Sequence, residues 1–228
     1  MKKLIIITAA FLCAGVIAAT ARGQAEGGPG EGMIVSGFKQ ALTIGTETAV
    51  KMVSQTDGYF GNQLIKILMP EKMKIVADML GKVGMQKQVD DFVLSMNRAA
   101  EKAAPKAASI FADAITSMSF DDAKGLLAGG DTAATDFFKT KTSAKIYDAF
   151  KPIISASLSE TGSTALYNAI MSKFNAIPLA PKVSVDLEDY VTTKAMDGLF
   201  LMIGQEEKKI RTQPAARVTD LLKTVFGK

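Results

Sequence analysis

The sequence predicts an all-α fold: a single globular multi-helix domain, eight to ten helices, after an N-terminal signal peptide. Three observations carry this. From Met33 onward apolar residues recur at i, i+3 and i+4 almost throughout, the period of a helix with one face on a core. Gly, Pro and capping residues cut that pattern into helix-sized pieces. The one run that could be a strand, residues 64–69, has no second run to pair with.

At the N-terminus, Lys2 and Lys3 precede an uncharged stretch, residues 4–21, that exits through Ala19-Thr20-Ala21. A charged start, an apolar middle and a small-x-small exit define a secretory leader, so residues 1–21 are expected to be removed and the product to be periplasmic or secreted. Residues 22–32 are Gly-rich linker and residues 33–228 the helical domain. The apolar stretch is about the shortest that spans a bilayer, so membrane contact is expected only if the leader is retained. The only cysteine, Cys13, lies inside the leader; Ala10-Phe11-Leu12 before it are too large for a lipoprotein cleavage site. With no disulfide available, stability must come from packing, and a chain of this size buries roughly 70% of its unfolded surface.

The elements follow in order. Val35, Phe38, Leu42, Thr46, Ala49 and Val53 define a first helix that ends at the turn signal Gln55-Thr56-Asp57-Gly58. Residues 64–69 read as an extended segment tucked under helices. Pro70 opens a helix reaching Gly81 or Gly84, because a proline in the first turn forfeits no intrahelical bond. Residues 86–104 form a long helix with Val89, Phe92, Val93, Met96, Ala99, Ala100 and Ala103 on one side. Pro105 ends it and begins another, carrying Ile110, Phe111, Ala114, Ile115 and Met118. Ser119 is an N-cap, with Asp122 adding negative charge at the positive helix end, and Gly129-Gly130 stops that helix. Asp131 is expected to cap a helix over residues 132–140, followed by a separate helix, 143–162, bent near Pro152. Residues 163–176 are helical, and Pro178 and Pro181 mark an irregular connection. Residues 186–211 form one long amphipathic helix with Leu187, Val191, Ala195, Leu199, Met202, Ile203 and Ile210 in line. Pro214 opens a final helix ending at Phe226-Gly227.

Composition removes most chemistries. The chain has no His, and without Cys13 no thiol, which excludes ordinary zinc and copper sites and His-dependent nucleophiles. No cofactor and no metal are expected. Lys and Arg number 27 against 23 Asp and Glu, with signs alternating as in Glu206-Glu207-Lys208-Lys209. With no Trp and four Tyr there is neither a basic stripe nor a stacking platform, so nucleic acid is set aside. The outline of a phosphate loop, Gly125 to Gly130, is followed by Asp131 where Lys is needed, and a carboxylate there repels phosphate. Ser36-Gly37-Phe38-Lys39 fits the S-x-x-K of penicillin-binding proteins but lacks their partner motif and sheet. The pairs Asp90-Asp91, Asp121-Asp122 and Glu206-Glu207 point about 100° apart on a helix and read as solvated faces or helix-end charges.

Several segments together carry a resemblance: Phe38-Lys39-Gln40-Ala41-Leu42, Met96-Asn97-Arg98-Ala99-Ala100-Glu101, Gly130-Asp131-Thr132-Ala133-Ala134-Thr135, and Tyr190-Val191-Thr192-Thr193-Lys194-Ala195-Met196-Asp197-Gly198-Leu199-Phe200, continuing through Glu206-Glu207 and Ile210-Arg211 to Leu221-Leu222. The chain resembles the bacterial family called domain of unknown function 4197 over nearly everything after residue 35. The resemblance implies an exported helical protein of Gram-negative type and brings no established activity.

Two candidate sites emerge from the residues. Asn97, Arg98 and Glu101 are helical neighbours and form a polar patch beside an apolar stripe. Asp197 stands in an apolar stretch and is expected to pair with Arg98 or, failing that, with Lys194, as an ion pair fixing helix register rather than as catalytic machinery. Met69, Met73, Met196 and Met202 could line an adaptable apolar pocket, opened by Pro152, Gly198 and Gly204. The functional expectation is a non-catalytic interaction or scaffold module of the cell envelope, its partner an envelope protein. One alternative is a carrier of an apolar small molecule such as a lipid or acyl chain. Another is a glycan-cleaving enzyme using Glu101 or Glu206 as its single acid. A cavity favours the carrier, an isolated Glu in a cleft the enzyme, and a solid core with an exposed apolar patch the interaction protein.

Overall fold

Pro29, with its fixed backbone angle, stands at the start of the first helix, α1 (Pro29–Ser54), four residues ahead of the boundary drawn between linker and body at 33. The computed structural model describes residues 29–82, 84–175, 184–217 and 219–226. The expected leader, the linker up to residue 28 and the prolines at 178 and 181 lie outside the described residues. After α1 come α2 (Lys74–Lys82), α3 (Gln86–Ala103), α4 (Ala107–Thr116), α5 (Phe120–Leu127), α6 (Ala133–Glu160), α7 (Ser163–Asn175), α8 (Leu187–Thr212) and α9 (Asp220–Phe226). Short 3-10 turns at Glu71–Met73, Ala104–Lys106 and Pro214–Ala216 follow Pro70, contain Pro105 and begin at Pro214. Among the described residues there is no strand, and the fold is all-α as the periodicity requires.

The scaffold is built on α6 and α8. Phe138, Thr142, Ile146, Phe150, Ile154 and Leu158 form one buried row at a spacing of four along α6, and each large apolar member contributes about 1.5–3 kcal/mol by burial. The start of α6 meets the end of α8, where Ala134 N–H donates to Glu207. Its middle meets the start of α8, where the Tyr147 hydroxyl donates to Asp189 (2.6 Å), so the two helices run antiparallel. α3 and α4 also pack on α6, and α1 packs on α8, α4 and α9. Phe111 of α4 meets Phe138 and Phe200 edge-on, at 5.4 and 6.1 Å between ring centres, and closes the middle of the core. Ser119 and Asp122 form a reciprocal capping box at the start of α5.

The expected break near residues 140–143 is absent: α6 is one helix through Glu160. The polar run that suggested a break is absorbed within the helix. Thr140, Thr142 and Ser143 each turn the hydroxyl back onto the carbonyl four residues earlier, at 3.0, 2.6 and 2.6 Å. Pro152 is on the exposed side, where the carbonyl it leaves without a helical donor can reach water. Asp131 does not cap α6 either. Thr132 holds the N-cap position without a side-chain bond, and Asp131 pairs at the surface with Lys208 (3.4 Å).

Candidate functional site

Between α1 and α2 the chain runs without regular structure from residue 55 to 70, and the polar face of α3 holds it. Asn97 is fully buried and treats Ile67 as a neighbouring strand would. Its Oδ1 accepts from the Ile67 N–H (2.8 Å) and its Nδ2 donates to the Ile67 carbonyl (2.8 Å). One turn on, Glu101 Oε1 accepts from the N–H groups of Tyr59 (3.0 Å) and Phe60 (3.2 Å), while Oε2 takes Arg98 Nη1 (2.6 Å). Arg98 then reaches Asp57 (2.7 Å), a residue in the left-handed region at φ 66°. Hydrogen bonding to Glu101, and secondarily to Asp57, raises the Arg98 pKa further above its already high ordinary value.

The same segment is fastened to α8. The Tyr59 ring is fully buried and its hydroxyl donates to the Ala195 carbonyl (2.6 Å). Burial, and secondarily the charge of Glu101, pushes the Tyr59 phenol well above its usual range, so it stays neutral. Gly198 makes this approach possible: a Cβ there would lie 2.8 Å from the Tyr59 ring and 3.0 Å from Ile65 Cβ. Gly198 is therefore a close contact with Tyr59 and Ile65, and it also lines a groove beside Asp197.

The five-residue polar cluster divides in two. Asn97, Arg98 and Glu101 are together; Asp197 is not with them. It pairs with Lys194 on its own helix at 3.5 Å, both largely exposed. The reason is angular: Asp197 is two residues from the buried Ala195, about 200° round the helix. The methionines separate too. Met69 and Met73 line a cavity of about 20 Å³ with Val76, Leu80 and Phe92, Met202 faces the core with its sulfur 3.5 Å from Asn62 Nδ2, and Met196 packs elsewhere on the core.

Asp197 does line something. Tyr190, Lys194, Asp197 and Leu201 share one face of α8, and with residues 64–69, a turn at 64–65 and extended chain only from 66, they border an open groove of about 400 Å³. Its rim is apolar: Leu64, Leu68 and Leu201 are 67, 58 and 44% exposed. Tyr190 crosses it, donating its hydroxyl to the Leu68 carbonyl (3.0 Å). A second groove of about 380 Å³, between α4, α5 and α6, carries Asp113 and Asp122 beside Lys141 and Lys145.

One buried charge pair escaped the reading of the sequence. Glu207 accepts from the N–H groups of Ala134 (3.0 Å) and Thr135 (2.8 Å), capping α6 from another helix. Arg211, one turn on, donates to it twice and also reaches the carbonyls of Leu126 and Leu127 at the end of α5. Glu207 is thus no solvated charge. The signal was its register: it falls on the buried face of α8 between Ile203 and Ile210. Glu206 pairs with Lys209 (2.6 Å). Among the described residues no three His, Cys, Asp or Glu side chains are placed to hold a metal, and no helix is long and apolar enough to cross a membrane.

Residues 29–227 match the family described as "Protein of unknown function (DUF4197)", and the chain belongs to it. No curated protein and no solved structure matches.

Proposed function

We propose that this member of the family works outside the cytoplasm as a non-catalytic interaction module of the cell envelope, presenting the groove between residues 64–69 and α8 to another protein. The observation that carries the reading is the exposed leucine rim on a segment that Asn97, Glu101 and Tyr59 hold rigidly. Exposed apolar side chains on a fixed support are a binding surface that requires little ordering on association. The leader-like residues 1–21 support export.

The two alternatives have less support. A carrier needs an enclosed volume of roughly 300–1,000 Å³, whereas the apolar cavities beside Met73 and beside Phe38 are each about 20 Å³, near the size of one water. A single-acid glycosidase needs a carboxyl free of cations, but Glu101 is held by Arg98 and Glu206 by Lys209. Native mass spectrometry of the chain purified from its own cells tests the reading. A complex with a second polypeptide is expected, lost in the double variant Leu68→Glu, Leu201→Glu. A bare monomer from wild type, or a lipid-sized mass retained by both forms, would sink it.

A further inference from the structure

The groove has one wall made of main chain, and that wall identifies what enters it. Ile67 gives both its N–H and its carbonyl to Asn97. That is possible only if the backbone there is extended, with both groups on one side. In an extended chain successive residues turn these groups to opposite sides. The carbonyl of Lys66 and the N–H of Leu68 therefore lie on the edge away from Asn97. This is the edge from which the Leu68 carbonyl reaches Tyr190 across the groove. Among the described residues neither the Lys66 carbonyl nor the Leu68 N–H has a hydrogen-bond partner. They are one acceptor and one donor, spaced as a strand presents them to its neighbour.

Side chains agree with the backbone. Within the extended stretch Ile67 is buried and Leu68 stands out, while Leu64 projects from the turn that precedes it. Lys66, which would obstruct such an edge, has its ammonium 3.9 Å over the Phe60 ring. On its N-terminal side the edge begins at Lys66, whose own N–H closes the preceding turn on the Asn62 carbonyl (2.9 Å). Pro70 ends it, and Met69 before a proline is itself held extended.

We propose that the partner is an extended polypeptide segment that adds to residues 66–68 as a strand, lying in the groove with its alternate side chains against Leu64, Leu68 and Leu201. This deepens the interaction reading and rests on it. A helical partner could not use the free main-chain pair, because its own is consumed internally. The extended edge is four residues, 66–69, about 13 Å at 3.3 Å per residue, so the paired part of the partner is about three or four residues. Glu71 and Asp197 balance Lys66 and Lys194 around the groove, so an uncharged segment with apolar residues at every second position fits best.

The test uses a displayed library of random linear heptapeptides panned against the full-length chain, with enriched peptides resynthesised for binding by isothermal titration. Expected are peptides with apolar residues at period two. N-methylation of alternate residues in one register should weaken binding about tenfold or more, as the loss of one main-chain hydrogen bond at a desolvated edge requires, while the other register has little effect. Leu68→Pro, which deletes the edge donor and the rim leucine together, should weaken binding more than Leu68→Ala, which keeps the donor, with an unchanged circular-dichroism melt in both. The N-methyl series on wild type decides the matter if Leu68→Pro fails to fold. Peptides with helical spacing, or equal affinity in both N-methyl registers, would overturn strand addition while leaving the groove as an interaction surface. So would a wild-type dimer that Leu68→Pro splits, since the occupant would then be a second copy. No enrichment over the Leu68→Glu, Leu201→Glu protein would overturn the peptide proposal alone. Loss of the interaction reading itself would show separately, as a bare monomer in the native mass spectrum.

Discussion

Two carboxylates inside this molecule are handled alike. Glu101 and Glu207 are 5 and 7% exposed, each accepts from two consecutive main-chain N–H groups, and each meets an arginine on its own helix, Arg98 or Arg211. Removing the charge from Glu207 leaves the Arg211 guanidinium without its carboxylate, whereas Arg98 still holds Asp57 when Glu101 is neutralised. For Glu207→Gln, where the Arg211 side chain is only 10% exposed, a loss of about 3–5 kcal/mol is expected in urea unfolding. For Glu101→Gln, Arg98 keeps Asp57 at 2.7 Å and its side chain is 34% exposed, so a loss of roughly half that is expected. Equal losses would show that the N–H contacts, not the cations, dominate. Tyr59 contributes a pH dependence. Its phenol holds its proton more tightly folded than unfolded, so the stabilisation is whole below the ordinary phenol value of 10 and is lost as pH rises above it. Unfolding free energy measured from about pH 8 to pH 11 should fall less steeply in Tyr59→Phe than in wild type. That variant also loses about 1 kcal/mol at neutral pH, because the Ala195 carbonyl loses the donor at 2.6 Å. Parallel curves for the two proteins would remove Tyr59 as the source of the slope.

Elements here are positioned by side chains from other elements, and this decides what could be read in advance. The bounds of α3, α5 and α8 were legible because their signals are local: a proline after α3, the Ser119–Asp122 box, and Asp186 accepting from Asp189 N–H at the start of α8. The continuity of α6 was not, because hydroxyl back-bonding has no signature distinct from a break, and its true cap, Glu207, is 73 residues from Ala134. The candidate site divides in the same way. Asn97, Arg98 and Glu101 declared themselves as a polar patch on an apolar helix, but the loop they hold is 30 to 42 residues away. Asp197 takes the second of its two expected partners, Lys194, because an apolar-looking run conceals which side of the helix each residue takes. Gly198 is a position of α8 where a side chain would collide with this loop, and no spacing rule reveals it. Gly198→Ala would push a methyl into Tyr59 and Ile65, both buried, so overpacking of about 1–3 kcal/mol is expected despite the better helix propensity of alanine. Thermal melts of Gly198→Ala and of Gly204→Ala, whose added Cβ would sit at 3.6 Å in ordinary contact, form the comparison. A stabilised Gly198→Ala protein would mean that the loop can retreat, and the groove wall with it.

Across the whole molecule, the division between a filled interior and a partly apolar surface separates a protein that binds on its outside from one that carries cargo within. Buried side-chain polar atoms of the described residues find partners, with Thr164 Oγ1 as the exception, and the apolar cavities beside Phe38 and beside Met73 are about 20 Å³ each. Nothing of lipid size fits in such a space without moving Phe38, Phe138 or Phe226 around one cavity, or Phe92 and Tyr167 around the other. A resident ligand at about 100 times its dissociation constant would add roughly 2.7 kcal/mol to stability, and stripping it would lower the melting temperature by several degrees. The chain is therefore expected to melt at the same temperature, within about 1 °C, before and after organic-solvent extraction on a hydrophobic resin and refolding. The leucine rim makes the complementary case. Leu68→Glu with Leu201→Glu replaces side chains that are already 58 and 44% exposed, so unfolding free energy should change by no more than about 0.5 kcal/mol per site while any complex made through the groove disappears. A drop in melting temperature on extraction, recovered by adding back the extracted material, would put the function inside the helices instead of on the face between residues 64–69 and α8.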